Sequence, residues 1–355
     1  MHVAVSDSGG PGDIPFCDRF FAVTFARSPF TFSNIQAYRQ LKEILDSNDY
    51  DLIHCHTPVA SVLTRLAARK ARKRSKGDAP KVGAKVFYTA HGFHFFKGAS
   101  LMNWKVYYPI EKWLSRYTDC LITINQEDYD CASKNFRAGK VALVHGVGVD
   151  VGRFKPQSNA KKAELRNEYG YENQDFILIY AGELNHNKHQ DFLIEVASML
   201  KDRISNLKIL LAGNGQLLEQ YQAQIRRLNV EQQVVLLGYR NDIHRLLSLA
   251  DIAVSSSRRE GLPVNVMEAM AVGLPLIVTD CRGNRDLVVH NRNGFVVASE
   301  DKEGFAQSIE KLYHSEELRK QFSVNNLSDI QQYRLETITD EMEKLYLGAL
   351  NALSE

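Results

Sequence analysis

The chain has 355 residues, of which 44% are hydrophobic and 24% are charged, and its formal net charge is +2. This length exceeds the usual size of one hydrophobic core, so two domains are expected. No apolar run approaches the roughly 20 residues of a membrane-spanning helix, the first residues lack the features of a signal peptide, and the five cysteines never form a C-x-x-C pair, which favours a reducing cytoplasm over a disulfide framework or a zinc site.

Short β-rich runs alternate with helical patterns along the chain, which predicts βαβ units and parallel sheets. Runs such as DFILIYAG and LKILLAG are apolar on both faces, as sheets covered by helices on both sides require. The predicted strands are 2–5, 20–24, 51–55, 85–89, 120–124, 141–144, 176–181, 208–212, 234–237, 252–255, 275–279 and 295–297. The predicted helices include 34–47, 58–73, 100–117, 126–135, 188–201, 215–228, 242–249, 264–271 and 302–313, with one or two more in 326–353.

The irregular stretch 145–156, HGVGVDVGRFKP, holds three glycines and a proline and is the best candidate for a domain boundary. We therefore expect an α/β fold with two Rossmann-like, doubly wound domains, 1–150 and 151–330, that face a cleft, and a C-terminal helical segment, 331–355, that returns to the first domain. Ligands in such folds bind at the carboxyl ends of strands. The loops expected to converge there are 90–98, 182–188, 213–216, 238–242 and 256–263.

The two halves differ in charge. Residues 1–155 hold 22 Lys and Arg against 14 Asp and Glu, whereas residues 156–355 hold 22 against 28. A basic half suggests that one domain faces something anionic, although much of the excess lies in the run 65–81, which by itself is better interpreted as a solvated helix end and loop. The acidic second half and the lack of an aromatic stacking platform argue against a nucleic-acid binder.

The segment EGLPVNVMEAMAVGLPLIVTD (260–280) is the most informative part of the chain. A proline near the start and Gly273 past the end predict a short helix between a turn and a strand. Glu260 then precedes the helix and Glu268 lies about two turns along it. Free N–H groups at a helix N-terminus favour an anion, and two carboxylates beside such a site suit a phosphorylated ligand with hydroxyls, such as a sugar nucleotide.

Several segments together resemble the family 4 glycosyltransferases of the GT-B fold, in particular the bacterial enzymes of capsule, exopolysaccharide and lipopolysaccharide O-antigen synthesis. Glu260 and Glu268 match the family's Glu-x7-Glu signature, and Gly182, Leu184 and Lys188 match its G-x-L-x-x-x-K loop. The remaining segments that match are LLAGNGQLLEQ (210–220), VVLLGYRNDIHRLLSLADIAVSSS (234–257), the linker GVGVDVGRFKP, DLIHCHTP (51–58) and YTAHGFHFFKGAS (88–100).

The chain departs from this family in two places. Glu183 stands where members often carry an arginine that helps to hold the diphosphate, so Lys188 and the helix N-terminus are expected to take more of the phosphate charge. Members also begin with a βα unit ahead of the strand that MHVAV resembles, and this first unit is expected to be missing here. Its strand would lie in the middle of the first sheet and its loop beside the acceptor, so the activity of the chain as given is open to question.

The resemblance implies an enzyme of the hexosyltransferase type. It would transfer a sugar from a nucleoside-diphosphate sugar, UDP by family habit, to a lipid-linked (polyprenyl-diphosphate) or polysaccharide acceptor, with retention of configuration, no cofactor and no metal. Lys188 is expected to hold the diphosphate, Glu260 the sugar hydroxyls and Glu268 the ribose. The implied catalytic residues are Glu260, His91 and Lys188. The implied donor-binding residues are Gly182, Glu183, Lys188, Gly238, Tyr239, Arg240, Gly261, Leu262, Pro263, Val264 and Glu268.

Each of these residues also has a plainer interpretation. Lys188 could be a solvated lysine at a helix start, and either glutamate an exposed carboxylate or a helix cap, although their joint spacing argues against this. His91, in TAHGF, has His54, His56 and His94 nearby in sequence as alternatives, and a lone histidine is often structural. No carboxylate of the first domain stands out as a general base, and none is assigned.

The segment 92–117 contains both tryptophans, Trp104 and Trp113, among other aromatic and basic residues. Such a mixture suits an element that contacts an anionic membrane surface. Val106, Ile110 and Leu114 recur at helical spacing, which equally fits a helix packed in the core. The basic first half and a lipid-linked acceptor favour peripheral contact with the inner face of the cell membrane.

Two rival functions remain. The first is another GT-B enzyme: a sugar-nucleotide epimerase, a glycogen-type synthase or a phosphorylase. The epimerase would act on the donor without an acceptor, and the phosphorylase would need a pyridoxal-binding lysine and a much longer chain. A truncated, non-catalytic nucleotide-sugar-binding partner subunit is the other possibility, because the first βα unit is expected to be missing.

Overall fold

The computed structural model describes residues 1–6, 14–26, 28, 31–72 and 83–351. In these residues all twelve predicted strands are present, with ends within two residues of the prediction. The strands are β1 (His2–Val5), β2 (Arg19–Ala22), β3 (Leu52–His56), β4 (Lys85–Ala90), β5 (Cys120–Thr123), β6 (Lys140–Leu143), β7 (Phe176–Ala181), β8 (Leu207–Ala212), β9 (Val234–Gly238), β10 (Ile252–Ser255), β11 (Leu276–Thr279) and β12 (Gly294–Val297).

Helices follow most of the strands, as the alternation predicts. They are α1 (Ser33–Asp46), α2 (Pro58–Arg72), α3 (Leu101–Ser115), α4 (Gln126–Asn135), α5 (Asn159–Glu168), α6 (Gln190–Leu200), α7 (Leu218–Leu228), α8 (Ile243–Leu249), α9 (Val264–Val272), α10 (Arg282–Leu287), α11 (Lys302–His314), α12 (Glu316–Asp329) and α13 (Leu335–Asn351), with a 3₁₀ turn at Ile330–Tyr333. None of the helices in the described ranges is long and apolar enough to cross a membrane.

The chain divides into two compact units. The first comprises residues 1–144 with 341–355, and the second comprises residues 145–340. The sequence placed this division between residues 150 and 151 and began the C-terminal segment at 331; in the structure α13 starts at Leu335, and only its residues from Glu341 onward belong to the first unit.

The strands of the first unit form two parallel sheets. The larger sheet has the order β3-β4-β5-β6, and β1 pairs with β2 separately, His2 beside Arg19. In the described part of the chain β3 is therefore an edge strand. Its parallel register places His56 beside Thr89, so the carboxyl ends of β3 and β4 lie at one edge of the sheet.

A buried ion pair connects three elements of the first unit. Arg65 of α2 is 1% exposed and donates from Nη2 to Glu111 Oε2 of α3 at 2.8 Å. The guanidinium also lies over the ring of Tyr88 on β4, 4.3 Å from its centroid. The interpretation of the run 65–81 as solvated is therefore wrong for Arg65, because a 3.6-residue period turns it into the core beside Glu111; residues 73–82 lie outside the described ranges.

The second unit is built on one parallel sheet of six strands in the order β12-β11-β10-β7-β8-β9. The strand order reverses between β7 and β10, which pair through Ile252 beside Leu178. In a doubly wound sheet such a reversal leaves a crevice outside the carboxyl ends of the two strands, and ligands bind there. The loops that follow β7 and β10 are thus the place to look for a site.

Three helices, α5, α10 and α12, are absent from the predicted set. The first begins at a side-chain cap, with Ser158 Oγ accepting from Lys161 N at 3.2 Å, but its sequence NAKKAELRNE has little apolar periodicity. Helix α10 has only six residues, fewer than two turns, and is too short to show a period. Helix α12 overlaps only the beginning of the segment predicted as helical from residue 326.

Candidate functional site

An ion pair lies where the loops after β7 and β10 meet. Lys188 Nζ donates to Glu260 Oε1 at 2.6 Å, and the two side chains are only 20% and 11% exposed. The loop that carries Lys188 is tied to the strand end as well, because Ser256 Oγ donates to the Lys188 carbonyl at 2.8 Å. Two of the residues predicted to act together are therefore in contact across 72 positions of sequence.

Arg258 braces the same two loops, and sequence reasoning missed it. Its backbone N–H donates to the Asn187 carbonyl at 2.8 Å and its Nη1 to the His186 carbonyl at 3.1 Å. In return, Asn187 Nδ2 donates to the Arg259 carbonyl at 2.9 Å. The sequence signal for Arg258 was its position two residues before Glu260, in SRREG.

A buried histidine completes this brace. Arg258 Nη2 donates to His189 Nε2 at 2.7 Å. Since a guanidinium cannot accept, His189 Nε2 must be the acceptor and the ring must be neutral. Burial lowers the pKa of His189, which keeps it so. His189 itself takes the left-handed conformation, φ +55°, at the start of α6.

Glycines let the loops after β7, β8 and β9 approach one another. Gly213 has φ +153°, and a Cβ there would lie 2.0 Å from the Gly182 carbonyl oxygen. Gly213 N also donates to the Gly238 carbonyl at 2.8 Å. A side chain at Gly213 would thus push the Lys188 loop away. The predicted convergence of loops is observed within this unit; loop 90–98 belongs to the other unit.

Two residues of α10 hold the turn that precedes α9. Arg282 Nε donates to the Glu260 carbonyl at 2.9 Å, and Gly283 is so close that a Cβ there would lie 2.5 Å from the Gly261 carbonyl oxygen. Leu262 and Pro263 are buried, whereas Val264 is exposed. Gly273 ends α9 with φ +82°, as its position in the sequence predicts. The turn and helix therefore hold Glu260 at a defined place.

Glu268 lies on α9, and its carboxyl has no hydrogen-bond partner in the described part of the chain. Burial raises its pKa to about 7, while the charge of Arg153 opposes this shift. A carboxyl in such surroundings gains from a ligand that brings hydroxyl donors. The unit thus offers a lysine, a helix N-terminus and two carboxylates, which suits recognition of an anion that also carries hydroxyls.

The other predicted donor-binding residues differ in whether their side chains are already engaged within the protein. Arg240 donates from Nε to Asp242 Oδ1 at 2.8 Å, and this contact lowers the pKa of Asp242 to about 2. Arg240 is therefore already paired. Tyr239 is 78% exposed, so most of its ring is accessible. Glu183 accepts from Asn185 Nδ2 at 3.0 Å. Since position 183 holds a carboxylate in place of an arginine, Lys188 is the cation of this loop.

The first unit has a histidine cluster at the carboxyl ends of β3 and β4. His91 Nε2 lies 3.0 Å from His56 Nδ1. His54 is instead engaged by Tyr346 OH at 2.6 Å and Thr89 Oγ1 at 2.8 Å, and burial lowers its pKa to about 3. His94 stacks on Tyr107. Of the four histidines that sequence left open, His91 and His56 form the exposed pair. Within the described ranges no group of three or more His, Cys, Asp or Glu is arranged to hold a metal ion.

Comparison with known families follows the division of the chain. Residues 161–328 match the model described as "Glycosyl transferases group 1". Residues 1–153 match the model described as "Glycosyltransferase Family 4". The two matches together span both units.

Individual relatives give the same result. EpsD of Bacillus subtilis (strain 168), a protein named as a glycosyltransferase, is 44% identical over 347 residues, which cover 98% of this chain and 88% of EpsD. The UDP-Gal:alpha-D-GlcNAc-diphosphoundecaprenol alpha-1,3-galactosyltransferase of Escherichia coli is 27% identical over 82% of this chain and 74% of its own. Anabaena HepE, solved in complex with UDP, superposes with a TM-score of 0.74 over 93% of this chain and 85% of its own, at 21% identity.

Proposed function

Because this chain belongs to the family 4 glycosyltransferases and has their GT-B fold, we propose that it transfers a sugar from a UDP-sugar to a polyprenyl-diphosphate-linked or polysaccharide acceptor, with retention of configuration, in the synthesis of a bacterial surface polysaccharide. The observation that carries this proposal is the contact of Lys188 with Glu260 at the strand-order reversal. UDP is favoured because the Escherichia coli relative is named for UDP-Gal and HepE was solved with UDP.

The chemical demand of the reaction is charge. As the bond between C1 and the diphosphate oxygen breaks, a bond forms between C1 and the acceptor hydroxyl oxygen, and the departing diphosphate takes the hydroxyl proton. Lys188 and the N-terminus of α9 stabilise the negative charge that develops. We propose that no metal is needed; full activity in excess EDTA supports this, and activity restored only by Mg²⁺ or Mn²⁺ contradicts it.

The carboxylates divide the rest of the donor. Glu268 accepts from the ribose hydroxyls, because it is a half-buried carboxyl without a hydrogen-bond partner of its own in the described chain. Glu260 accepts from sugar hydroxyls when the phosphate draws Lys188 away. Tyr239 offers its exposed ring to the base, and His91 of the first unit presents an N–H to the donor.

Turnover tests this proposal. Purified protein is given a panel of UDP-sugars with a polyprenyl-diphosphate sugar, and transfer, hydrolysis and epimerisation are scored separately. Transfer that fails in Glu260→Gln and Lys188→Met but survives in the surface variant Val324→Ser (66% exposed) supports a transferase. Epimerised donor without transfer indicates the epimerase, and UDP binding without turnover indicates a non-catalytic partner.

We also propose that α3 contacts an anionic membrane. One face exposes Leu101 (76%) and Met102 (67%) together with Trp113. Lys105, Lys112 and Arg116 are exposed in the same turns. Apolar and aromatic side chains flanked by cations complement a surface of anionic lipid headgroups, where a polyprenyl-linked acceptor resides.

The alternative interpretation placed both Leu114 and Ile110 of this helix in the core, and the structure agrees for Leu114 but not for Ile110. Leu114 is fully buried, but Ile110 is 41% exposed, so the expectation that Ile110 packs in the core is wrong. Trp104 is anchored instead, with Nε1 donating to the Phe96 carbonyl at 3.2 Å. Membrane contact is therefore better tested at Met102 and Trp113 than at Trp104, with the variants Met102→Ser and Trp113→Ser. Weaker sedimentation with phosphatidylglycerol vesicles, relative to Val324→Ser, is expected; unchanged sedimentation contradicts the contact.

A further inference from the structure

His56 and His91 end neighbouring parallel strands. His56 is the last residue of β3, and His91 directly follows the last residue of β4. The register pairs His56 with Thr89, so both imidazoles emerge at the same sheet edge. Their nitrogens, His56 Nδ1 and His91 Nε2, lie 3.0 Å apart, and the rings are 32° from parallel.

The backbone turns sharply after each histidine. Thr57 has φ +60°, a conformation that is an outlier for a β-branched residue and persists only where the surrounding structure imposes it. Gly92 has φ +133°, which only glycine adopts readily. These two residues direct the chain away from the sheet immediately beyond the histidines and leave both rings exposed. Strain of this kind clusters at functional sites.

The contact between His56 Nδ1 and His91 Nε2 limits which ring nitrogens can carry a proton. A neutral imidazole has one donor and one acceptor nitrogen, so one ring of the pair donates to the other. Burial lowers the pKa of both rings, and the neighbouring His91 lowers that of His56 further. The third titratable neighbour, His54, lies 4.2 Å from His56 between ring centroids and is neutral. The pair is therefore neutral at pH 7.

The outer nitrogens are unengaged. Among the described residues of the first unit, His91 Nδ1 and His56 Nε2 have no hydrogen-bond partner. His91 thus has one nitrogen committed to His56 and one available to a ligand. Whether His91 Nδ1 carries a proton depends on which of the two rings donates the hydrogen bond between them.

We propose that His56 is a positioning residue for His91: its Nδ1–H donates to His91 Nε2, which fixes the His91 ring and leaves His91 Nδ1–H as the donor offered to the sugar nucleotide. This rests on the proposed function, because phosphate and sugar ring oxygens accept and therefore require an N–H. With the opposite hydrogen bond, His91 would offer them a lone pair. His56 therefore sets the tautomer that the reaction requires.

Side chains of different reach test the assignment. In His56→Asn the amide nitrogen takes the place of Nδ1 and can still donate, whereas in His56→Gln the amide lies nearer the place of Nε2. His56→Asn is expected to keep most of kcat. His56→Gln and His56→Ala are expected to lose about tenfold in kcat, the lower end of the loss found when the hydrogen-bonding partner of a metal-bound histidine is removed. Equal kcat in all three variants overturns the proposal.

Nitrogen NMR tests it without turnover. In ¹⁵N-histidine-labelled protein with UDP, His91 and His56 are both expected as the Nδ1–H tautomer, and His91 is expected to change tautomer population in His56→Ala. His91 as Nε2–H in the wild type overturns the proposal. The expected tautomers in a protein that transfers no sugar support the pairing and count against the proposed function alone.

Discussion

Lys188 Nζ lies 2.6 Å from Glu260 Oε1, so the cation expected to hold a diphosphate is already bound to the carboxylate expected to hold the sugar. Each neutralises the other while partly buried. A donor must separate them, because its phosphate attracts Lys188 and its hydroxyls supply hydrogen-bond donors to Glu260. The ion pair therefore couples recognition of the two ends of the scissile bond.

This exchange predicts opposite effects on binding and turnover in Glu260→Gln. Removing the carboxylate frees Lys188 and removes repulsion, so affinity for UDP is expected to rise severalfold while transfer is lost. In Lys188→Met, UDP affinity is expected to fall by about 2 kcal/mol, or roughly thirtyfold, the contribution of a hydrogen bond to a charged group. Isothermal titration with UDP measures both. Weaker UDP binding in Glu260→Gln would mean that Glu260 supports the phosphate site rather than competing for it.

Arg258 should influence the phosphates alone. In Arg258→Met the loop 182–189 loses two hydrogen bonds, and Lys188 is less well placed. UDP affinity is expected to fall about tenfold, consistent with loss of about 1.4 kcal/mol, while affinity for uridine, which has no phosphate, stays the same. The double variant with Lys188→Met should be hardly weaker than Lys188→Met itself, since both act on one contact. A parallel loss of uridine binding would indicate general loosening of the fold.

Glu268 predicts a pH dependence of ribose recognition. Its pKa is about 7 without ligand, so below pH 7 the carboxyl is protonated and accepts hydrogen bonds less well. Uridine affinity is expected to rise between pH 6 and pH 8, and binding near pH 7 should release a proton because hydroxyl donors favour the ionised form. Uridine avoids the titration of a phosphate. The dependence should vanish in Glu268→Gln, and a uridine affinity that does not change with pH in the wild type would refute this role.

The same shift bears on stability with the opposite sign. A carboxyl whose folded pKa is raised from 4.5 to about 7 stabilises the fold fully below pH 4.5, and this contribution is lost as the pH rises towards 7. Glu268→Gln, which stays neutral, is therefore expected to be more stable than the wild type above pH 7. Thermal denaturation of the two proteins at pH 6 and pH 8 measures the difference; a variant that is less stable than the wild type at pH 8 contradicts it.

The Arg65–Glu111 pair predicts the stability of the first unit. Glu111→Gln leaves a buried guanidinium without its counter-charge and should cost about 3–5 kcal/mol of that unit's unfolding free energy. The double variant Arg65→Met, Glu111→Leu should cost less, since no buried charge remains. Both tryptophans lie on α3, so tryptophan fluorescence during urea unfolding reports this unit separately. Equal losses in the two variants would show that packing, not charge, governs the site.

Sequence anticipated most elements because parallel strands buried on both faces are continuous apolar runs, such as FILIYA in β7. It also anticipated that the loops carrying Lys188 and Glu260 converge, since a doubly wound sheet brings strand ends together. It could not show that Arg240 is paired with Asp242 or that Arg258 braces the loops, because these depend on side-chain directions. The resemblance singled out His91, but sequence could not show how the neighbouring histidines are engaged, with His56 against His91 and His54 against Tyr346.

The central claim is sugar transfer that depends on the Lys188–Glu260 site, and the most direct measurement is proton NMR of the product formed from a UDP-sugar and a polyprenyl-diphosphate sugar. The account predicts a new glycosidic bond with the anomeric configuration of the donor, release of UDP, and no product in Lys188→Met or Glu260→Gln. Product of inverted configuration, or undiminished transfer in either variant, would contradict it.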